Sequence, residues 1–595
     1  MSRKQKDKKS SSNSESPKDG PKRNDPKNSE PKVPQSKSVA KAPRAPWHQS
    51  TIWLGLFSSI ALYVASPPLS LPAMAWVAPV GWLLLIQQEK LHGRRPYLWL
   101  WLLGLLHWAA ILQGIRLAHP LLGIGWLALS SYLAIYIPLF VGLSRWGVHH
   151  VKMPLELVAP VVWVGLELAR GYVVTGFSAA LLAHTQVNWT SLIQISDIGG
   201  GYLVSFLIVF VAACLSNRRC LGRVPGVTWG RRVSGPILCC GMLLGTLLYG
   251  RASIIATDPT DPPVRVALLQ ESIKTLFEYD PQRALDTAAK YTKRSRDAIN
   301  QHPDLALVVW PESSFNGNQP DIVGPPQDSR SGTQLSLYQK TALEEYKRVY
   351  IDHVRSLVAR IHQDRPASSQ PQAAIIVGTT TMQYSDETPA RFNSALFIQP
   401  DGLVSDRYFK IHRVMFGEYI PIVDWFPVLY QITPMPAGLT AGGGPKVFKC
   451  RGVSFYPSIC FESTVPHLVR NHVSQLTKAG TPPDVIVNIT NDGWFWGSSI
   501  LDLHFNCSIF RAIENRKTVL VAANTGISAW IDDNGRVRQR AQRMEETTLY
   551  AEVHRSRRSS IYQTIGDLPA GTCLLFTLGL MVSAIRHKYR RKSTS

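Results

Sequence analysis

The sequence predicts a multi-pass α-helical membrane domain of about eight spans joined to an extracytoplasmic α/β sandwich. Apolar runs near the length of a membrane crossing follow one another from Thr51 onward. Lysine and arginine collect in alternate loops between them. A long stretch of alternating strand and helix patterns then separates the last two runs. The alternative is a large soluble protein with buried helices, but so many long apolar runs in series are hard to cover with water-soluble structure.

At 595 residues the chain is too long for one ordinary core. A net charge of +23 would suit a nucleic-acid binder. The basic residues, however, lie in the N-terminal tail and in short loops, which is the footprint of membrane topology, so no nucleic-acid partner is expected. Residues 1–46 are rich in Lys, Ser, Pro, Asn and Asp and lack the apolar surface that would offset ordering. They read as a disordered basic cytoplasmic tail, and no cleavable signal peptide is expected, because the tail far outruns a signal's charged region.

A seven-helix membrane domain is expected over 47–255, with spans near 51–66, 72–88, 97–113, 121–144, 154–175, 195–216 and 233–250. The tail, the second loop (Lys90, Arg94, Arg95), the fourth (Arg145, Lys152) and the sixth (Arg218, Arg219, Arg223, Arg231, Arg232) are basic, whereas the first, third and fifth carry only Arg116. Seven spans that start inside leave the chain outside at Arg251, and an eighth at 566–585 returns it to a basic tail, 586–595, so both termini are cytoplasmic. The intervening domain, 262–560, has strand-like runs at 264–269, 305–310, 374–377, 453–459, 485–489 and 519–523. Helical patterns lie around 281–301, 336–363 and 502–517.

Eight cysteines occur without a CxxC, which argues against zinc or a redox dithiol, and no metal or cofactor is expected. Cys214, Cys239, Cys240 and Cys573 lie in apolar segments and read as packing. A Cys450–Cys507 disulfide is open if the domain faces an oxidising space. Cys460 differs in its setting, because the β-branched and aromatic run before it gives way to a helix-like segment, a strand-to-helix turn that lifts one side chain clear of a sheet. A thiol there can be a nucleophile, against the ordinary reading of a small buried hydrophobe.

Two other stretches bear on Cys460. In Trp310-Pro311-Glu312-Ser313-Ser314 a carboxylate sits where a buried strand ends, which suits a general base. In Arg407-Tyr408-Phe409-Lys410-Ile411-His412, followed by Phe416-Gly417-Glu418-Tyr419, a lysine among aromatics can hold charge beside a developing oxyanion. Solvated surface is the default reading of either residue alone.

Trp-Pro-Glu, Lys before Phe-Gly-Glu-Tyr, and Ile-Cys-Phe-Glu, in that order, resemble the Glu-Lys-Cys triad of the nitrilase or carbon–nitrogen hydrolase superfamily. With seven spans before and one after, the chain resembles its membrane-bound branch, the apolipoprotein N-acyltransferases. Asn491-Asp492-Gly493-Trp494-Phe495, Asn524-Thr525-Gly526 and the Glu167 to Gly171 stretch fit that family's other motifs. The resemblance implies a nitrilase-like α-β-β-α sandwich in which Glu312 is the proton acceptor, Cys460 the nucleophile, Lys410 the oxyanion stabiliser and Glu418 a supporting carboxylate. Phe461 and Glu462 match positions that shape the acyl and amine pocket, and Tyr279 or Phe277 would belong to a substrate lid. The implied partners are a phospholipid acyl donor and a diacylglyceryl apolipoprotein acceptor at the bacterial inner membrane.

The match covers nearly everything from about 50 to 585, and only the basic tail lies outside it. Arg170 and Arg116 are candidates for headgroup contact, with interfacial snorkelling as the plain alternative. His504, Cys507 and Arg511 share helical spacing and read as a packed helix face. Gln270-Glu271-Ser272-Ile273 departs from the family pattern, and the glycines at 442–444 read as flexibility, not as a phosphate cradle. The rival readings are a membrane-tethered amidase or nitrilase, for which eight spans have no purpose, and a transporter with a structural domain, for which the spans hold few ionisable residues beyond Glu167.

Overall fold

The computed structural model describes residues 49–217, 229–254, 262–276, 280–315, 320–324, 337–364, 372–384, 390–420 and 438–593. The expected tail 1–46, most of the sixth loop, and Phe277 and Tyr279 lie outside the described residues.

Each apolar run is helical. The helices are α1 (Thr51–Ala65), α2 (Ala73–Gln87), α3 (Pro96–Ile111), α4 (Leu122–Ala134), α5 (Tyr136–His149), α6 (Leu155–Arg170), α7 (Thr190–Ile193), α8 (Ser196–Gly199), α9 (Gly201–Ser216) and α10 (Trp229–Ser253). Proline explains several boundaries: Pro96 opens α3 at a position that needs no N–H, and Pro154 immediately precedes α6.

Among the described residues, three helices are long and apolar enough to cross a membrane: Leu122–His149, which joins α4 and α5, Gly235–Ser253, and Leu568–Arg591 near the C-terminus. The segments Thr190–Gly199 and Gly201–Ser216, bent by 118°, make a fourth if they count as one span. With 15 or 16 residues, α1, α2 and α3 fall short of the ~20 needed to cross at 1.5 Å per residue. Eight apolar helical segments are therefore present, while about eight full crossings are not established by length. Inside the bundle Trp82 stacks on Trp163 at 5.8 Å, and Phe140 meets Trp163 edge-on at 5.0 Å. Large apolar side chains such as Trp53, Phe57, Leu106, Ile124 and Leu575 point outward, a surface suited to an apolar surrounding.

The α/β domain is built from β1 (Val264–Gln270), α11 (Pro281–Gln301), β2 (Leu307–Val309), β3 (Asp321–Val323), α12 (Leu337–Ile361), β4 (Ala374–Gln383), β5 (Ala390–Ile398), β6 (Val404–Phe409), β7 (Phe448–Cys450), β8 (Val453–Ile459), α13 (Pro466–Lys478), β9 (Val485–Thr490), α14 (Ile500–Asn515), β10 (Thr518–Ala523), β11 (Ala529–Ile531), β12 (Val537–Arg540) and β13 (Thr547–Val553). The strands form two mixed sheets, β13-β1-β2-β4-β5-β6 with β3 beside β4, and β12-β11-β10-β9-β8-β7.

Strand alternation sorts the residues into layers. Val266, Leu268, Leu307, Val309, Phe397, Phe455, Ile459, Val487 and Leu520 meet between the sheets. Ala267, Leu269, Val308 and Trp310 face α11 and α12. On the far side, Tyr456, Ile486 and Val521 pack under α13 and α14 in one hydrophobic cluster with the apolar helical bundle. The result is the α-β-β-α sandwich, with its last helical layer fused to the bundle.

That junction is specific. Phe510 of α14 packs on His184, with ring centroids 4.9 Å apart. The Gly201 N–H donates to Glu514 (3.0 Å), and Arg516 Nε donates to Asp197 (3.0 Å). The chain closes with α15 (Ile561–Ile565) and α16 (Leu568–Ser593). There α16 lies so tightly on α6 that a Cβ on Gly165 would stand 2.5 Å from Thr577 Oγ1 and 2.8 Å from the Cys573 carbonyl.

The Cys450–Cys507 disulfide does not form. Both thiols are free. Cys450 lies in the core between the sheets, where Sγ donates to the Ala306 carbonyl (3.3 Å), whereas Cys507 lies in the helical layer and donates to the Leu503 carbonyl (3.2 Å). The second sheet stands between them.

Candidate active site

The site assembles where strands end. Glu312 follows β2, Lys410 follows β6, Cys460 follows β8 and Asn491 follows β9, so the two sheets deliver their carboxyl-end turns to one place. β4 makes room for this: a Cβ on Gly378 would stand 2.5 Å from Glu312 Cα and 2.6 Å from the Pro311 carbonyl. Only a residue without a side chain lets the Glu312 turn cross there.

Three of the predicted residues form a charged knot. Lys410 Nζ donates to Glu418 Oε1 at 2.8 Å and lies 3.6 Å from Glu312 Oε1. Lys410 is only 2% exposed, and both carboxylates are buried. Asn393 of β5 lies between the carboxylates, its Nδ2 donating to Glu312 Oε1 (2.6 Å) and Glu418 Oε1 (3.0 Å). Backbone N–H groups hold the outer oxygens: Asn491 donates to Glu312 Oε2 (2.8 Å) and Val414 to Glu418 Oε2 (2.8 Å).

Burial opposes charge on both members of the Lys410–Glu418 pair, but each outweighs that cost for the other. The Lys410 pKa rises, and the Glu418 pKa falls, relative to their ordinary values. An ammonium has three donors; Glu418 takes one and Glu312 lies at ion-pair distance, so N–H capacity remains for a developing oxyanion.

Cys460 has φ +55, a left-handed conformation uncommon for a residue with a side chain. It opens a short 3-10 turn, Cys460–Thr464, directly after β8, which is the strand-to-helix elbow anticipated from the sequence. Burial and the neighbouring Glu312 push its thiol pKa well above the ordinary value, with Lys410 pulling the other way. Cys460 therefore rests as a thiol, and an attack from its sulfur would need a base to take the proton.

Glu462 is fully buried behind the elbow. Its carboxylate accepts from the N–H groups of Ile459 (2.8 Å), Ile411 (2.7 Å) and His412 (3.1 Å) and from Tyr408 Oη (2.9 Å). It thereby ties the Cys460 turn to the Lys410 strand. Phe461 is half-buried and stacks on His412 with centroids 5.8 Å apart.

Arg170 is not part of this group. Only 6% exposed, it lies inside the bundle, with Nη2 donating to the Ala180 carbonyl (3.2 Å) and the guanidinium 5.1 Å from the Trp108 ring centroid; it does not snorkel. Arg116 lies 5.8 Å from the Trp126 ring centroid.

Two readings of the sequence need correction. His504 is not merely a packed helix face: its Nε2 lies 2.8 Å from Ser463 Oγ and 3.1 Å from the Cys460 carbonyl, and its Nδ1 lies 3.2 Å from Asp492 Oδ1. Gly442 is there for close approach, since a Cβ would overlap the Phe409 carbonyl, and its N–H donates to the Lys410 carbonyl (2.8 Å). The departing segment after β1 is anchored by the motif asparagines. Ile273 N–H donates to Asn524 Oδ1 (2.9 Å), Thr275 Oγ1 donates to Asn491 Oδ1 (2.9 Å), and Asn524 Nδ2 donates to Asn491 Oδ1 (3.0 Å).

Asn393 and Asn488, whose Nδ2 donates to the Cys460 carbonyl (3.2 Å), had no signal in the sequence beyond being polar residues in apolar strands.

An α-β-β-α sandwich that brings a cysteine, a lysine and two carboxylates to its strand ends is a carbon–nitrogen hydrolase domain, and the Carbon-nitrogen hydrolase family model matches residues 265–563. The Apolipoprotein N-acyltransferase N-terminal domain model matches residues 58–214. A protein of Rhodopirellula baltica named Apolipoprotein N-acyltransferase is 34% identical over 573 residues, covering 91% of this chain and 99% of that one. Relatives of the same name from Geobacter metallireducens and Pasteurella multocida are 29% and 25% identical, covering 90% and 87% of this chain and 95% and 92% of theirs. The chain belongs to the apolipoprotein N-acyltransferase family.

Proposed function

We propose that this protein transfers a fatty acyl chain from a phospholipid to the N-terminal α-amine of the diacylglyceryl-cysteine of apolipoproteins, through a thioester on Cys460. The observation that carries the reading is the buried Glu312–Asn393–Glu418–Lys410 knot beside a cysteine on a left-handed elbow, in a domain fused to an apolar bundle.

Glu312 takes the Cys460 proton as sulfur attacks the ester carbonyl, and the free Lys410 N–H meets the oxyanion. Collapse of the intermediate breaks the ester C–O bond. Glu312 returns the proton to the departing alkoxide, so lysophospholipid leaves and the acyl group stays on sulfur. The lipoprotein amine then attacks the thioester and gives its proton to Glu312, which passes it to the departing sulfur. An amide and free enzyme result, in a two-step ping-pong cycle. Phe461 and Tyr279, the latter outside the described residues, are the side chains assigned to acyl and amine contact in this reading. No step calls for a metal or organic cofactor.

The rest of the organisation belongs to the same proposal. About eight spans hold the catalytic domain, 262–560, against the outer face of the bacterial inner membrane, with the basic tails 1–46 and 586–595 in the cytoplasm. Both lipid substrates then lie in the leaflet beside the site, and an oriented approach replaces a three-dimensional search.

Incubation of the purified protein with a phospholipid radiolabelled in its acyl chains tests the reading. Thioester-linked label on Cys460 that an apolipoprotein peptide discharges as an amide is expected. Label released only as free fatty acid would point to a hydrolase, and absence of label would remove the enzymatic reading.

A further inference from the structure

Outside the charged knot and the Glu462 carboxylate, polar groups converge on the Cys460 backbone carbonyl. Asn488 Nδ2 (3.2 Å), Ser463 Oγ (3.2 Å) and His504 Nε2 (3.1 Å) all reach that one oxygen. His504 also lies 2.8 Å from Ser463 Oγ, and Asp492 Oδ1 is 3.2 Å from its Nδ1. Asp492 is itself buried and fixed, since its Oδ1 accepts from Thr490 Oγ1 (3.0 Å) and Gly526 packs so closely on Oδ2 that a Cβ there would overlap it.

A carbonyl and a carboxylate are both acceptors, so the protonated ring bridges them as a donor from both nitrogens, whereas in the neutral ring with its proton on Nδ1 the Ser463 hydroxyl donates to Nε2. Burial works against a charged ring here, and the Asp492 carboxylate outweighs it, so the His504 pKa lies above its ordinary value. The backbone that this arrangement grips is the one with φ +55 at Cys460, and such a conformation persists only when its surroundings over-determine it.

We propose that His504 is a positioning residue for acyl transfer: its ring ties the Cys460 carbonyl to Asp492 and holds the nucleophile in its left-handed elbow. The clamp originates on α14, whose other faces are seated in the membrane bundle through Phe510 and Glu514, so the elbow is braced from the bundle side. The proposal rests on the acyl-transfer reading only for the identity of the acyl donor.

The test uses the full-length detergent-solubilised protein and a p-nitrophenyl ester, whose first-turnover nitrophenolate burst reports Cys460 acylation without phospholipid. In His504→Ala the burst rate is expected to fall roughly 10- to 100-fold with the half-saturating ester concentration unchanged, because a reacting group displaced by about an ångström costs on that order. In His504→Gln, which keeps one donor for the carbonyl, the rate is expected to recover to within about threefold of wild type. A His504→Ala burst as fast as wild type overturns the proposal, as does an equal loss in both variants, which would make the ring packing alone. If the wild type bursts in a His504-dependent way but takes no label from phospholipid, the acyl-donor reading falls and the clamp stands. Absence of any wild-type burst overturns both.

Discussion

At the level of single side chains, the site couples opposite demands on one proton. Glu312 is near enough to raise the Cys460 pKa, and in the proposed cycle it is also the group that removes the proton. Glu312→Gln should therefore move the two readouts apart. The pH midpoint for iodoacetamide alkylation of Cys460, followed by mass spectrometry on its peptide, should fall, while thioester formation drops by about 10²–10⁴-fold as general-base catalysis is lost. A midpoint that rises would show that Glu312 stabilises a resting thiolate instead. The Lys410–Glu418 pair carries a pH signature of its own. The Glu418 pKa is depressed in the folded protein, so its contribution to stability is present above the unfolded carboxylate pKa and is lost as pH falls through the folded one. The Lys410 pKa is raised, and its contribution is lost only as pH rises through the folded value in strong base. The Tm of the wild type should consequently decline below about pH 4, with a smaller decline in Glu418→Gln. Glu312, Lys410, Glu418 and Cys460 were legible because each sits in a short motif. Asn393 and His504 were not, since an asparagine inside a strand and a histidine on a helix gain meaning only from what folding places opposite them.

Among the secondary-structure elements, β4 shows how a strand can govern a reaction without touching substrate. Gly378 is passed by the Glu312 turn at distances no Cβ tolerates. Gly378→Ala should displace that turn, lower stability by about 1–3 kcal/mol as overpacking does, and cost most of the thioester formation. Calorimetry and the labelled-phospholipid assay measure the two effects, and full activity with a lowered Tm would show that the turn relaxes harmlessly. Strand runs were readable in the sequence because β-branched and apolar residues cluster in them. Helix lengths in the bundle were less so, since hydropathy marks an apolar run without saying whether it continues as one long helix, as over Leu122–His149, or bends by 118° as between α8 and α9.

For the whole molecule, the fusion of the last helical layer with the bundle is the decisive property. Phe505, Ile509, Phe510 and Ile513 of α14 share a hydrophobic cluster with bundle residues such as Leu182, Ile193 and Val204. A chain trimmed to 262–560 should expose that face and aggregate, as gel filtration would reveal; a monodisperse, active fragment would show that the junction is dispensable. Asp197→Ala should likewise strand the buried Arg516 guanidinium and lower stability by about 3–5 kcal/mol, measurable by thermal denaturation. Sequence alone could divide the chain into an apolar part and an α/β part, because composition changes sharply between them. It could not reveal that the two parts share one interior, since the contacts joining Asp197 to Arg516 or Gly201 to Glu514 span more than 300 positions.

The seat of α16 against Gly165 of α6 sets the order in which this protein can be made. A ribosome releases residue 165 long before residue 577, so the groove on α6 stays bare while the entire α/β portion is synthesised. The finished bundle is sealed from the far end of the message, and a nascent polypeptide halted before its final helix emerges would have every chemical group in hand yet no closed platform to stand on.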